Sequence, residues 1–554
     1  MVSVCKRLIS RFSRENLFLV LVSVVSVLVV FSPNIQKDIV IGSDSPFHLA
    51  RIETLALSLS RGEFPVKLHE ELCYGFGYGV GFFYPNCFLY IPAVLINLGL
   101  SLEIAYKLFA GLIQVCIFLG MFFAAWKLTR NKYAAVVAGV LYQCSIAVLE
   151  SFYTHFTLGR STAMVFLPLA IVGIYRIVHE NKGEGMLILG FTGLVYSHVL
   201  TSVLAVTICA MIALIYLGDW IKSREKWTKL LRSVAVVLVL TAAFWIPLFE
   251  QWTAQTYRAS QPWTYVDENV MRVFDLFSVS GIGAPLLCLA LFLGLWMIGH
   301  PQTKTVKVFF FSGVGYLALT TVFPFWHLMR NSLRFLQFPQ RLFVIATVVL
   351  ILAIAAWLAQ FHFNLEKWQL IVSVILIVNL YFATDFMSEK VNNLEDFGNR
   401  TLYEEIAGLG SGEEWLPLQT TRELLVDPDL AHDDKGNPVE GVHENGKYIF
   451  PADGNATYYD VPLVWYKGFA ARAGGVDLTI QKNERTGLVR VLMPQGGSGG
   501  ETVTIWYEGT RLQTAAYLIT FCGGAVLAAV VLLARTKKGK KAGVGHREPQ
   551  RVGS

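Results

Sequence analysis

Asp44, His48 and Arg51 fall close together in "SDSPFHLAR", just after the first apolar run of the chain. A carboxylate can take a proton from a hydroxyl, an imidazole can hold one, and a guanidinium grips a phosphate in a fork. Pro46 suits the first position of a helix, Ser45 an N-cap, and Gly62 a stop, so the spacing predicts a helix from Pro46 that ends just before Gly62. Along it Leu49, Ile52, Ala56 and Leu59 make one apolar stripe able to lie on a membrane surface. His48 and Arg51, three apart, project together beside that stripe, and Asp44 sits on about the same azimuth. Three ionisable groups are therefore expected to converge where an apolar layer meets water. The plainer alternative is that Asp44 only caps the helix and the other two are solvated.

Other candidates are basic or titratable groups at the edges of apolar runs. Arg334 and Arg341 lie in "LMRNSLRFLQFPQRLF", where a polar loop leads into an apolar run. Such guanidinium groups reach the depth of a lipid phosphate, or simply anchor a span to headgroups. Arg160 opens another apolar run, with Glu150 and His155 nearby, and His198 stands in "VYSHVLTS". A polar group there either faces a cavity or bonds a neighbouring helix.

The elements that must hold these residues are set by composition. Of 554 residues, 54% are hydrophobic and 16% charged, too apolar for a soluble globule. Runs long enough to cross a bilayer are expected near 16–33, 105–126, 133–149, 161–178, 186–199, 200–218, 231–248, 281–299, 308–323, 341–360, 368–385 and 513–534. The fold class is thus a polytopic α-helical bundle of about twelve spans. The excess of Lys and Arg in "KLTRNK", "KSREKWTKLLR" and both ends predicts cytoplasmic termini. The long first loop (34–104) and the segment 386–512 then lie outside. "FFYPNCFLYIPAVLINLGL" is expected as two short re-entrant or interfacial helices broken at Pro85 and Pro92. The domains are accordingly a bundle over 1–385, an external unit over 386–512, a last span at 513–534 and a basic, disordered tail over 535–554. "GVDLTIQKNERTGLVRVLMP" and "ETVTIWYEG" alternate as half-buried strands do, so the external unit is expected to be β-rich.

Several chemistries are excluded. The net charge of +6 follows from topology and carries no nucleic-acid signature. "GYGVG" lacks the strand and helix of a dinucleotide or phosphate loop, and no cysteine spacing suggests zinc or redox work. Cys73 and Cys87 share the first loop and could pair as a disulfide.

"DSPFHLAR" resembles the first-loop acidic motif of the GT-C superfamily, multi-span glycosyltransferases with lipid-linked sugar donors. In order, "GFGYGVGFFYPNCFLYIP", "LGRSTAMVFLPL", "GLVYSHVLTS", "RFLQFPQRL", "EEWLP" and "VPLVWYKGFAAR" are similar to segments of the bacterial 6-pyruvoyl-tetrahydropterin-synthase-related membrane proteins. That family in turn resembles the transferases that glycosylate teichoic acids. Some members carry a glutamate shortly before the proline of the fourth span, where this chain has Thr162, Ala163 and Met164, so a second acid is left unassigned. The resemblance implies an inverting transferase in the cell membrane that takes a sugar from a polyprenyl phosphate to a glycan or lipid acceptor, and leaves open whether a separate partner enzyme makes the donor. Asp44 is then the base, His48 its orienting group or a phosphate contact, and Arg334, Arg341, Arg160 and Arg51 the phosphate ligands. Glu150, His155 and His198 complete the candidate set. No cofactor is implied, and no metal is expected, although some superfamily members with diphosphate donors use a divalent ion. The rivals are a flippase for a lipid-linked saccharide and a non-catalytic accessory relative.

Overall fold

The structure, a computed structural model, describes residues 13–36, 38–261, 263–278, 281–391, 394–395, 413–453, 455–494 and 501–544. The helices in chain order are α1 (Arg14–Phe31), α2 (Ser45–Ser60), α3 (Val80–Phe83), α4 (Tyr90–Asn97), α5 (Leu102–Thr129), α6 (Lys132–Gln143), α7 (Ile146–Tyr153), α8 (Leu158–Glu180), α9 (Glu184–Val195), α10 (Val199–Ile215), α11 (Leu217–Trp220), α12 (Arg224–Leu240), α13 (Ala242–Ala254), α14 (Ala284–Gly299), α15 (Lys304–Leu319), α16 (Phe323–Met329), α17 (Phe343–Leu358), α18 (Leu365–Lys390) and α19 (Arg511–Val544).

Among the described residues, six helical stretches are long and apolar enough to cross a bilayer, and nine if the bent pairs α6–α7, α12–α13 and α15–α16 each count as one span. Helices α9, α10 and α14, of 12, 17 and 16 residues, lie on the other three expected runs, so length alone does not yield twelve. The chain is a helical membrane protein. Within it α8 and α17 are central: 89% of the residues in their apolar windows are buried inside the protein, against 6% for α19. Helix α8 packs on α5, α9 and α10, and α17 on α6, α14 and α15.

Helix α2 begins one residue earlier than expected, with Asp44 itself at the N-cap position and Pro46 in its first turn. It stops before Gly62, whose φ is +85°. Its apolar stripe does not lie on a membrane surface. Leu49, Ile52 and Ala56 are buried inside the protein, and the helix packs on α4 and α5. The stretch 82–100 forms two short helices, as read from its prolines, although Pro92 lies within the first turn of α4 rather than at a break. Cys73 and Cys87 are both free; the first is buried and the second exposed.

Strand β1 (Ile39–Val40) pairs antiparallel with β2 (Leu394–Glu395), which ties the approach to α2 to the chain leaving α18. Strands β3 (Leu430–Asp433), β4 (Pro438–Glu440), β5 (Val442–Glu444), β6 (Lys447–Ala452), β7 (Tyr458–Val464), β8 (Phe469–Ala473), β9 (Val476–Lys482), β10 (Leu488–Leu492) and β11 (Glu501–Tyr507) form one nine-stranded sheet in the order β4-β3-β7-β10-β9-β8-β11-β6-β5. All its pairings are antiparallel. Aromatic rings join this sheet domain to the first loop. Trp415 stacks on Phe83 at 4.7 Å, Tyr466 lies 5.8 Å from Phe82, and the Tyr466 hydroxyl donates to the Trp415 carbonyl at 3.0 Å. Trp415 and Tyr466 therefore serve the join between the domain and the loop. Helix α19 continues to Val544, so the first part of the basic tail is helical rather than disordered; 545–554 lie outside the described residues, as do the basic groups before residue 13.

Candidate functional site

Asp44 is placed by backbone. A Cβ on Gly42 would come within 2.7 Å of the Thr154 carbonyl oxygen, so only glycine lets the two segments approach. There the Ser43 amide donates to the Thr154 carbonyl at 3.1 Å and the Asp44 amide to the His155 carbonyl at 3.0 Å. The Ser45 hydroxyl closes the turn by accepting from the Gly42 amide at 2.6 Å. The half-buried Asp44 side chain makes no capping hydrogen bond, and accepts instead from the Ser43 hydroxyl at 3.1 Å. Its charge acts on Tyr84, Arg160, Arg341 and Glu414, which come from four different parts of the chain.

His48 and Arg51 do share a face, but it points inward. Both are at most 1% exposed, and Arg51 Nη1 lies 3.4 Å from His48 Nδ1. Arg51 Nη2 donates to Asn86 Oδ1 at 2.7 Å and to the Tyr84 carbonyl at 3.2 Å, and its guanidinium lies 4.5 Å from the Tyr84 ring. Burial, helped by the Arg51 and His198 charges, holds the His48 pKa well below the usual imidazole range. A neutral, enclosed His48 positions Arg51 and Tyr84; the interfacial role expected for this pair is corrected to a buried bracket that fixes the loop between α3 and α4. The reason is the stripe on α2, which found protein rather than lipid to cover it.

The remaining candidates separate into those that gather near Asp44 and one that does not. Arg160, in the first turn of α8, donates from Nε to the Ser151 hydroxyl at 2.8 Å, while its buried Nη2 has no hydrogen-bond partner among the described residues. Arg341 is held by the Leu336 carbonyl at 2.9 Å and by Gln337 Oε1 at 3.0 Å, in a turn where Gln337 takes a φ of +57°. Glu150 interacts electrostatically with Arg160 and Lys390. The His155 pKa is pushed down to about 4 by burial and by Arg160, Arg341 and Lys390. His198 caps α10, its Nδ1 accepting from the Thr201 amide at 3.3 Å, and its ring centroid lies 5.7 Å from that of Tyr84. Gly159 makes this possible, since a Cβ there would meet the Tyr84 hydroxyl at 2.5 Å and the Ser197 carbonyl at 2.8 Å. Arg334 stands apart: it is exposed, and no hydrogen bond or ion pair of its side chain is found among the described residues.

Two contributors were not read from the sequence. Tyr84 is the hub, in contact with Arg51 and His198 and under the charges of Asp44, Arg160 and Arg341; burial raises its hydroxyl to about 12. Glu414 comes from the sheet domain on a short turn (Glu413–Trp415), where burial first, and then the charges of Asp44 and Glu413, push its carboxyl up to about 7. The "EEWLP" segment was its only signal. No group of three or more His, Cys, Asp or Glu suited to a metal ion occurs among the described residues.

No protein-family model matches the chain, and no curated protein does either. Among solved structures, the arabinofuranosyltransferase AftD from Mycobacteria superposes with a TM-score of 0.44 at 15% identity over 69% of this chain and 27% of that one. Its R1389S mutant, class 2, gives 0.43 at 15% over 68% and 28%. The oligosaccharyltransferase of Archaeoglobus fulgidus gives 0.33 at 13% over 68% and 54%. The chain thus spans about a quarter of the length of the AftD chains and about half that of the oligosaccharyltransferase. At such scores the superpositions do not by themselves establish a common fold.

Proposed function

We propose that the chain is an inverting, GT-C-type glycosyltransferase that moves a sugar from a polyprenyl phosphate to a glycan or lipid acceptor at the external membrane face. The reading rests on one observation: an ionisable acid, Asp44, shares a site with Arg341 and with Arg160, whose buried Nη2 has no partner among the described residues. A buried N–H without an acceptor costs free energy, and an anionic ligand oxygen would relieve it.

In this reaction the acceptor oxygen attacks the anomeric carbon as the bond to the phosphate oxygen breaks. The acceptor proton passes to the Asp44 carboxylate, and the phosphate leaves with the bonding electron pair. Attack opposite the departing phosphate inverts the anomeric centre. Arg160 and Arg341 stabilise the charge that grows on the phosphate, an effect commonly worth about 3 kcal/mol per donor. Arg51 supports the loop that carries Tyr84 rather than touching phosphate, and Glu414 is the second carboxylate, taking the place of the glutamate missing before Pro168. No cofactor is required because the donor carries its own leaving group.

Reconstitution in vesicles with polyprenyl-phosphate sugars and candidate acceptors tests the proposal. Asp44→Asn is expected to lower turnover at least a hundredfold and Arg341→Ala about as much. Full transfer by both variants overturns the site. Movement of the lipid-linked sugar between leaflets without transfer to acceptor supports the flippase reading instead.

A further inference from the structure

A cleft of about 210 Å³ opens between the first loop and the sheet domain. One wall carries Glu70 and Glu71, and the other carries Glu444, Phe469 and Trp506. Its width is fixed by a two-residue hairpin turn, Asn445-Gly446, with φ of +48° and +77°, joining β5 to β6. The turn presses on the loop so closely that a Cβ on Gly446 would come within 2.9 Å of Glu63 Oε1 and 3.2 Å of Glu70 Oε1. Arg61 is already engaged, 2.7 Å from Glu71 and 3.4 Å from Glu70. Glu71 Oε2 is buried and accepts no hydrogen bond among the described residues.

We infer that this cleft binds a neutral, hydroxyl-rich stretch of glycan, and, resting on the transferase reading, that this stretch is the distal part of the acceptor. Carboxylates accept pairs of hydrogen bonds from sugar hydroxyls, and an aromatic face covers the C–H side of a sugar ring. Arg61 and Lys447 line the cleft beside Glu70, Glu71 and Glu444, so it carries no excess of positive charge with which to hold a phosphate-bearing polymer. Arg61 follows the last residue of α2 and Asp44 precedes the first, so the 16-residue helix sets the cleft roughly 24 Å from the reacting hydroxyl. That separation is several sugar units, so a long acceptor reaches both places and a short one only the reaction centre.

Two measurements on the full chain in lipid nanodiscs test this. Titration calorimetry with a panel of neutral hexasaccharides, set against a glycerol-phosphate hexamer, is expected to show binding of a neutral member and none of the phosphate oligomer. Trp506→Ala or Glu444→Gln is expected to weaken that binding about tenfold. In the transfer assay the same variants raise KM about tenfold for a long acceptor, with kcat and the KM for a single-unit acceptor unchanged. Absence of binding by every neutral hexamer overturns the cleft. So does stronger binding of the phosphate oligomer, or an equal KM change for short and long acceptors. Hexamer binding that both variants weaken, in a protein without transfer activity, keeps the glycan cleft and rejects the transferase reading. Glu444 is exposed on an edge strand, so its variant reports even where Trp506→Ala fails to fold.

Discussion

At the level of single residues, the site sets Asp44 against a carboxyl that keeps its proton. Glu414 holds its proton to about pH 7 because it is buried and faces Asp44, with Arg341 only partly offsetting this. The pH profile of kcat/KM is therefore expected to bend near pH 7 in the wild type, and the bend is expected to vanish in Glu414→Gln. Glu70 supplies a test of stability. Burial, together with Glu63 and Glu71, raises its carboxyl to about 8 despite Arg61. A folded-state pKa above the ordinary 4.5 means that the folded protein binds more protons across that window, so stability falls as pH rises from about 4.5 to about 8. Other groups that face it across the cleft, His443, Glu444 and Lys447, are exposed. Thermal unfolding of Glu70→Gln is expected to show a flatter dependence over this range and a higher midpoint than wild type at pH 8.

At the level of elements, what the sequence revealed and what it hid divide along contact distance. The α2 helix and its Gly62 stop followed from local chemistry, as did the shared face of His48 and Arg51, with the start falling one residue before the expected Pro46. The direction of that face did not, because an apolar stripe looks the same whether lipid or protein covers it; here α4 and α5 do. Tyr84 and Glu414 were hidden because tertiary folding alone brings them within the reach of the Asp44 charge, and no periodicity encodes an electrostatic interaction between residues 44 and 414. The strand alternation in the 476–507 segment was legible, since pairing on one sheet repeats every second residue. Glycines mark the crossings of elements. Gly159→Ala is expected to force Tyr84 and the Ser197 carbonyl away from α8, costing about 1–3 kcal/mol in chemical unfolding and lowering transfer with it.

For the molecule as a whole, the sheet domain and the bundle are one working unit, because the turn that bears Glu414 is clamped to the first loop. Trp415 stacks on Phe83, and Arg258 holds Glu413 at 2.7 Å. Trp415→Ala is expected to cost about 2 kcal/mol, to split a single unfolding transition into two in calorimetry, and to lower activity without altering Asp44.

The zipper between Gly42–Asp44 and Thr154–His155 has a mechanical consequence. Main chain bonded to main chain does not bend as a rotamer does, so Asp44 and the opening turn of α8 with Arg160 travel as a single plate. Arg341 hangs instead from a short irregular turn, held through carbonyls of its own segment. Any breathing of the site is then one-sided: the plate stays still and the Arg341 jaw swings.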